Sequence, residues 1–199
     1  MTIRNAAKSD VVEFFSRHLV GLSVAYRLRK EADQSPRFTM CSGTLIAIEG
    51  VVFFLTAGHV LDQLGKLRES DQVEIVGSAL VDTYGWKRTS DIPIPFDLST
   101  ARMFYIDDDD AGLDFGVIPL ERHCVRLLAK NGNVALSEAN WSRQHTVEFD
   151  AFAMLGFPEE LVSERLDESG AGHAEPVMLA FSDFDVPPMI EGQLRILSL

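Results

Sequence analysis

The chain has 199 residues, which is enough for one large domain or two small ones. Hydrophobic residues make up 46% of it, a proportion typical of a globular protein with an apolar core. The formal net charge of −12 argues against nucleic acid as a partner, because a phosphate backbone would be repelled and no basic stripe compensates.

The cysteine content and the apolar segments bear on location. The two cysteines, Cys41 and Cys124, are too few for a disulfide scaffold and favour a reducing compartment or buried thiols. Residues 1–10 lack the apolar segment of a signal peptide. No run reaches the roughly 18 uncharged apolar residues of a membrane-spanning helix. The sequence therefore predicts a cytoplasmic protein with no membrane partner.

The first part of the chain alternates short apolar segments with turn residues. The residues after Asp10 predict a short helix, and the alternation over 20–26 predicts the first strand. Segments 45–48 and 51–55 flank Glu49-Gly50, and a two-residue turn that contains glycine predicts a tight hairpin.

Similar patterns predict the remaining elements. A short helical turn is expected at 60–66, and a connector over 120–130 is expected to end at Asn131-Gly132-Asn133. Further strands are expected at 73–76, 103–106, 115–118, 146–149, 151–155 and 177–181. Many short strands, few helices and no internal repeat indicate an all-β sandwich or barrel.

Three short motifs occur in order along this strand pattern. They are Ser42-Gly43-Thr44-Leu45-Ile46, Thr56-Ala57-Gly58-His59 and Leu113-Asp114-Phe115-Gly116. Together they resemble motifs of the trypsin-like (chymotrypsin-fold) serine peptidases. Gly156-Phe157-Pro158, after the strand at 151–155, also resembles a glycine–x–proline turn early in that family's second barrel. The resemblance implies that His59 is the general base and that Asp114 orients it.

The chemistry of these residue types agrees with the resemblance. A serine hydroxyl is a poor nucleophile until a base removes its proton, and a neutral imidazole can accept that proton. A carboxylate at the other ring nitrogen fixes the tautomer and stabilises the imidazolium. Taken singly, His59 could be a structural histidine at a strand end and Asp114 a turn carboxylate.

The third member of such a set is the nucleophile. The family's glycine–x–serine–glycine–glycine motif does not occur in the sequence, and Ser169 in Asp167-Glu168-Ser169-Gly170 is the nearest candidate. Ser169 lacks the glycine two residues before it, and the two neighbouring carboxylates would oppose a developing oxyanion. The plainer interpretation of Ser169 is a residue of an acidic hairpin loop.

We therefore expect an all-β, trypsin-like double β-barrel whose second barrel is incomplete. Residues 1–17 would form an N-terminal helix or arm, and 18–120 a first barrel that carries His59 and Asp114. Residues 121–133 would form a connector, and 134–199 a partial second barrel.

The expected function is that of a serine endopeptidase acting on peptide or protein substrates without a cofactor. The alternative is a non-catalytic, peptidase-like peptide-binding module or a truncated fragment. No metal site is expected, because Cys41, His59, His123 and Cys124 lack paired ligand spacing. The acidic run 107–110 does not keep an EF-hand register. The oligomeric state stays open.

Overall fold

The computed structural model describes residues 15–30, 35–81, 93–140, 152–156 and 177–181. Two α-helices lie wholly within these ranges, α1 (Gly58–Glu69) and α2 (Arg122–Lys130), and a 3₁₀ turn covers Glu138–Asn140. The strands are β1 (Leu19–Leu28), β2 (Arg37–Ile48), β3 (Val51–Thr56), β4 (Val73–Val81), β5 (Ile94–Pro95), β6 (Phe104–Asp108), β7 (Leu113–Pro119), β8 (Leu136–Ser137), β9 (Phe152–Gly156) and β10 (Val177–Phe181).

Eight of these strands form one sheet, and all but one of their pairings are antiparallel. Seven follow the order β5-β4-β1-β2-β3-β7-β6, and β8 pairs in parallel with β2. The run β4-β1-β2-β3 has the order of a Greek key. The expected all-β class is confirmed. The described strands do not close into a barrel, however, because no backbone pairing among them joins β5 to β6.

The strands β9 and β10 form a separate antiparallel pair, with Val177 opposite Gly156 and Phe181 opposite Phe152. Both lie where the sequence predicted strands. The strand expected at 146–149 and the helix expected after Asp10 fall on residues outside the described ranges, apart from residues 15 and 16 of that helix. The short β8, which belongs to the region expected to start a second barrel, pairs with β2 of the larger sheet.

The hairpin between β2 and β3 matches its prediction. Ile48 pairs with Val51, and Glu49 and Gly50 have φ angles of 49° and 79°. Positive φ at both central residues is the mark of a type I′ turn, whose twist matches that of the flanking strands. The hairpin places the end of β3 beside β2, and His59 follows the end of β3.

The core lies between the large sheet and the two helices. In β1, the side chains of Val20, Leu22 and Val24 are inaccessible to solvent. They belong to one cluster with Phe54 of β3 and Ile118 of β7. Burial of such side chains is the main stabilising contribution to the fold.

Helix α1 extends beyond its predicted range and packs against β6 and β7. Leu61 and Leu64 form its buried stripe. The Tyr105 hydroxyl of β6 donates a hydrogen bond of 3.2 Å to Asp62 Oδ1. Arg68 donates to the carbonyl oxygen of Ala101 at 2.9 Å. These contacts hold the helix against the sheet.

The connector expected over 120–130 contains helix α2, and the helix ends where the connector was expected to end. The Gly132 N–H donates to Ala129 O at 3.1 Å, and the Asn133 N–H donates to Leu128 O at 3.0 Å. This pair of bonds, with Gly132 at φ 94°, is a Schellman motif. No helix in the described ranges is long and apolar enough to cross a membrane.

Candidate active site

His59 lies in the first turn of α1, directly after β3. Strand β3 ends at Thr56, whose hydroxyl donates to the carbonyl oxygen of Ser42 on β2 at 2.8 Å. The single residue Ala57 then separates the strand from the helix, which begins at Gly58. With so short a connection, the histidine is held close to the end of the sheet.

The strand register brings Asp114 to the same place. Thr56 on β3 pairs with Gly116 on β7, and the two strands are antiparallel. Two residues further along this alignment, position 114 lies beside position 58. The register thus explains how two residues 55 positions apart come into contact.

The two side chains form a hydrogen-bonded pair. The distance between His59 Nδ1 and Asp114 Oδ2 is 2.7 Å, and the backbone N–H of His59 donates to Asp114 Oδ1 at 2.9 Å. A carboxylate at Nδ1 places the ring proton there and leaves Nε2 as an acceptor. The His59 side chain is 52% exposed and that of Asp114 26% exposed, so the pair is open to a substrate.

Asp114 also supplies the N-terminal cap that α1 otherwise lacks. Ala57, at the cap position, has no side-chain oxygen. The backbone N–H of His59, in the first turn of the helix, instead donates to the Asp114 carboxylate. A negative charge at a helix N-terminus is favourable because the helix dipole is positive there.

These contacts determine the ionisation of the carboxyl group. Partial burial by itself would raise the pKa of Asp114, but the hydrogen bonds from the backbone and imidazole of His59 outweigh it. The pKa of Asp114 is therefore lowered, and the carboxylate is charged at neutral pH.

Gly58 belongs to the histidine motif, but the motif by itself gave this glycine no role. A Cβ on Gly58 would overlap the carbonyl oxygen of Ile106 and lie 3.1 Å from Asp114 Oδ1. The start of α1 therefore packs directly on the backbone of β6. The small residue before the histidine was the signal in the sequence.

A second set of polar contacts joins α1 to β6 near His59 and Asp114. Asp62 accepts from Tyr105 and forms an ion pair of 2.5 Å with Lys66. The hydrogen bond from Lys66 lowers the pKa of Asp62. The i,i+4 spacing of Asp62 and Lys66 could have been found in the sequence. The hydrogen bond from Tyr105 to Asp62 could not have been found there, because the two residues are 43 positions apart.

The other residues that the sequence offered are Ser169 and a possible metal set that includes Cys41. Ser169 lies outside the described residues. The Cys41 thiol donates a hydrogen bond to Leu22 O at 3.7 Å. Burial raises the pKa of Cys41 to about 12, so its thiol is not a nucleophilic thiolate at neutral pH. No group of three or more metal-ligating side chains occurs within the part of the chain that the structure describes.

Comparison with known proteins found no family model, no curated protein and no solved structure that matches this chain. The interpretation of the site therefore depends on its own geometry. That geometry is an exposed imidazole oriented by a charged carboxylate.

Proposed function

We propose that this chain is a trypsin-like serine endopeptidase in which His59 is the general base and Asp114 orients it. The observation that carries the proposal is the 2.7 Å contact between His59 Nδ1 and Asp114 Oδ2, with the imidazole half exposed. The substrate is a peptide or protein, and the reaction needs no cofactor.

The chemistry follows from the two protonation sites of the ring. Nε2 accepts the proton of a serine hydroxyl as that oxygen attacks the peptide carbonyl, and later returns it to the leaving amine. The resulting imidazolium is stabilised by Asp114. This carboxylate remains ionised, because its pKa is lowered by the hydrogen bonds from His59.

The positions of the three motifs in the sheet support the same proposal. The serine–glycine–threonine motif lies in β2, the histidine follows β3, and the aspartate is the second residue of β7. Strands β2, β3 and β7 are neighbours in the sheet. The fold that we propose is the double β-barrel of this family, with the large sheet as the first barrel.

Ser169 is the nucleophile that we propose. The second candidate function is a non-catalytic, peptidase-like module that binds extended peptides. It is favoured by one observation, the lack of a glycine–x–serine–glycine–glycine string in the sequence. In this alternative the histidine and aspartate are retained as structural residues.

Labelling with a fluorophosphonate probe separates the two functions, because the probe reacts only with an activated serine. We expect the full chain to be labelled at Ser169, as identified by mass spectrometry. Labelling should be lost in both His59→Ala and Ser169→Ala, and retained in Ser163→Ala as a matched control.

Each other outcome contradicts one part of the proposal. Labelling at a different serine that still depends on His59 would overturn only the assignment of Ser169. Labelling that persists in His59→Ala would overturn the role of His59. An unlabelled chain with a cooperative unfolding transition would overturn catalysis by this chain and favour the binding module.

A further inference from the structure

Strand β6 lies at one edge of the large sheet. It pairs with β7 on one side, and no strand among the described residues pairs with its other side. All five residues of the strand are exposed. The backbone N–H and C=O groups along such an edge are a template on which one more strand can pair.

The register of β6 and β7 divides the side chains of this hairpin between two faces. Tyr105 of β6 and Asp114 of β7 contact residues of α1. Successive side chains of a strand point to opposite faces, so the residues that alternate with these two point away from the helix. They form three cross-strand pairs, which we call the outer face: Phe104 with Val117, Ile106 with Phe115, and Asp108 with Leu113.

The outer face is largely apolar and open to solvent. Phe104 is 58% exposed, Phe115 46% and Ile106 42%. Ile106 and Phe115 lie directly opposite each other, so their exposed surfaces are continuous. Exposed apolar patches of this kind mark interaction sites on proteins. A strand added along β6 would extend this face with its own alternate side chains.

The hairpin is acidic at the end where β6 leads into its turn. Residues 107–110 are four consecutive aspartates, and all four are exposed. Asp108 belongs to the outer face itself. None of the four forms an ion pair with a lysine or arginine in the part of the chain that the structure describes. A cationic side chain on an added strand would meet unpaired carboxylates here.

The same charges disfavour two other occupants of the edge. A second copy of the chain would bring its own four aspartates and a net charge of −12 to the contact. An anionic membrane surface would be repelled in the same way. Charged residues on an edge strand protect it against pairing with itself, and they leave it open to a partner of opposite charge.

We propose that β6 binds an extended segment of another protein by strand addition. Antiparallel pairing is the more stable kind, and it places the partner's lysine or arginine residues first, opposite Asp108 and Asp107. Alternating apolar residues follow, beside Ile106 and Phe104. The outer face is on the opposite side of the sheet from His59, so this binding does not depend on the proposed peptidase activity.

A pair of short peptides tests the proposal on the full chain. The probe is acetyl-Lys-Lys-Val-Thr-Val-Thr-amide, and the control has glutamate in place of both lysines. We expect NMR titration to give a Kd at least about tenfold lower for the lysine peptide, with the largest amide shifts in residues 104–108. Equal affinities, shifts centred elsewhere, or no binding of the lysine peptide would overturn the proposal.

Two variants separate the local charge from the net charge. Asp108→Asn removes one carboxylate, while its amide oxygen can still accept from the Ala111 N–H as the carboxylate does at 3.0 Å. We expect it to weaken binding of the lysine peptide about threefold. Asp71→Asn removes the same charge at an exposed turn before β4 and should leave binding unchanged. Equal weakening in both variants would show that only the net charge attracts the peptide.

A third variant tests the apolar part of the contact. Ile106→Thr keeps a β-branched side chain in the strand but reduces the apolar surface of the outer face. We expect it to weaken binding of the lysine peptide about threefold or more, and undiminished binding would overturn the role of this face. Sedimentation of the full chain should show no dimer. A dimer that the lysine peptide dissociates would assign the edge to a second copy and overturn the proposal.

Discussion

At the scale of single residues, Asp114 has two structural roles at once. One carboxylate oxygen accepts from the His59 imidazole, and the other accepts from the backbone N–H of the same residue. The helix that carries the histidine is thus capped by the group that orients its ring. A substitution at Asp114 should therefore alter both the tautomer of the imidazole and the stability of the helix end.

We predict that Asp114→Asn reverses the tautomer of His59. The amide oxygen can still accept from the backbone, but the amide NH₂ then faces Nδ1 and donates to it, which moves the ring proton to Nε2. The proposed base is then lost, and fluorophosphonate labelling should slow by about 10⁴-fold, as for aspartate-to-asparagine changes in Ser-His-Asp triads. Nitrogen NMR of the imidazole would detect the tautomer directly.

Asp107→Asn is the matched control for this prediction. Asp107 pairs with Asp114 across β6 and β7, and the substitution removes one negative charge at an exposed position. We expect it to change neither the tautomer nor the labelling rate. A similar loss in both variants would indicate an effect of charge alone.

The lowered pKa of Asp114 gives a prediction for stability against pH. The carboxyl pKa is lower in the folded chain than in the unfolded one, so the charged form contributes stability above about pH 4. That contribution is lost as pH falls through the folded-state pKa. The difference in free energy of unfolding between the parent chain and Asp114→Asn should therefore shrink below pH 4, as measured by urea titration. A difference that is constant from pH 7 to pH 3 would contradict the role assigned to the carboxylate.

At the scale of elements, the site depends on how closely α1 approaches β6 and β7. A Cβ on Gly116 of β7 would lie 2.6 Å from Leu61 Cδ1 and 2.8 Å from Tyr105 Cβ. Leu61 is fully buried in the core, so it has little room to move. The glycine therefore permits the contact between helix and strand that brings His59 to Asp114.

We predict that Gly116→Ala destabilises the fold by about 1–3 kcal/mol, the usual cost of an added methyl group in a packed interior. Gly77→Ala is the matched control, because Gly77 is an exposed strand residue with no atom within 4 Å of an added Cβ. It should alter stability by no more than about 0.5 kcal/mol. Chemical denaturation measures both. Equal effects of the two substitutions would show that packing against α1 is not the cause.

The strands and turns were predictable where local chemistry determines them. Alternating apolar residues predicted β1, and Glu49-Gly50 predicted the type I′ hairpin. Asn131-Gly132-Asn133 predicted the end of the connector at 120–130, which is where α2 ends. His59 and Asp114 could also be identified as candidate site residues, because they lie in motifs that resemble those of a known family. These features depend on residues close together in the sequence.

The contacts between distant parts of the chain were not predictable from local pattern. The second role of Asp114, as the cap of α1, follows from the β3–β7 register. The bond between Tyr105 and Asp62 joins residues 43 positions apart. The Asn133 amide donates hydrogen bonds to the carbonyl oxygens of Arg17 and Leu19, which are 116 and 114 positions away. Such contacts are set by tertiary packing, which one sequence does not specify residue by residue.

At the scale of the whole molecule, burial is unevenly distributed across the large sheet. The first six residues of β1 are buried, whereas all five residues of β6 are exposed. The exposed side chains of the β6–β7 hairpin include Phe104, Ile106 and Phe115. Asp114 lies in this hairpin, so the carboxylate of the site is carried by a weakly buried part of the sheet.

This gradient predicts a gradient in local stability. Regions with few buried apolar contacts open more readily than the core. We expect the hydrogen-bonded amides of β1 to exchange with solvent on the order of 100-fold or more slowly than those of β6, as measured by hydrogen exchange with NMR detection. Strand β3, which also lies beside β7 but contributes Phe54 to the core, should be intermediate. If the amides of β6 were protected as strongly as those of β1, another part of the chain would have to cover that strand. The pair of His59 and Asp114 would then lie in a more rigid site than its burial indicates.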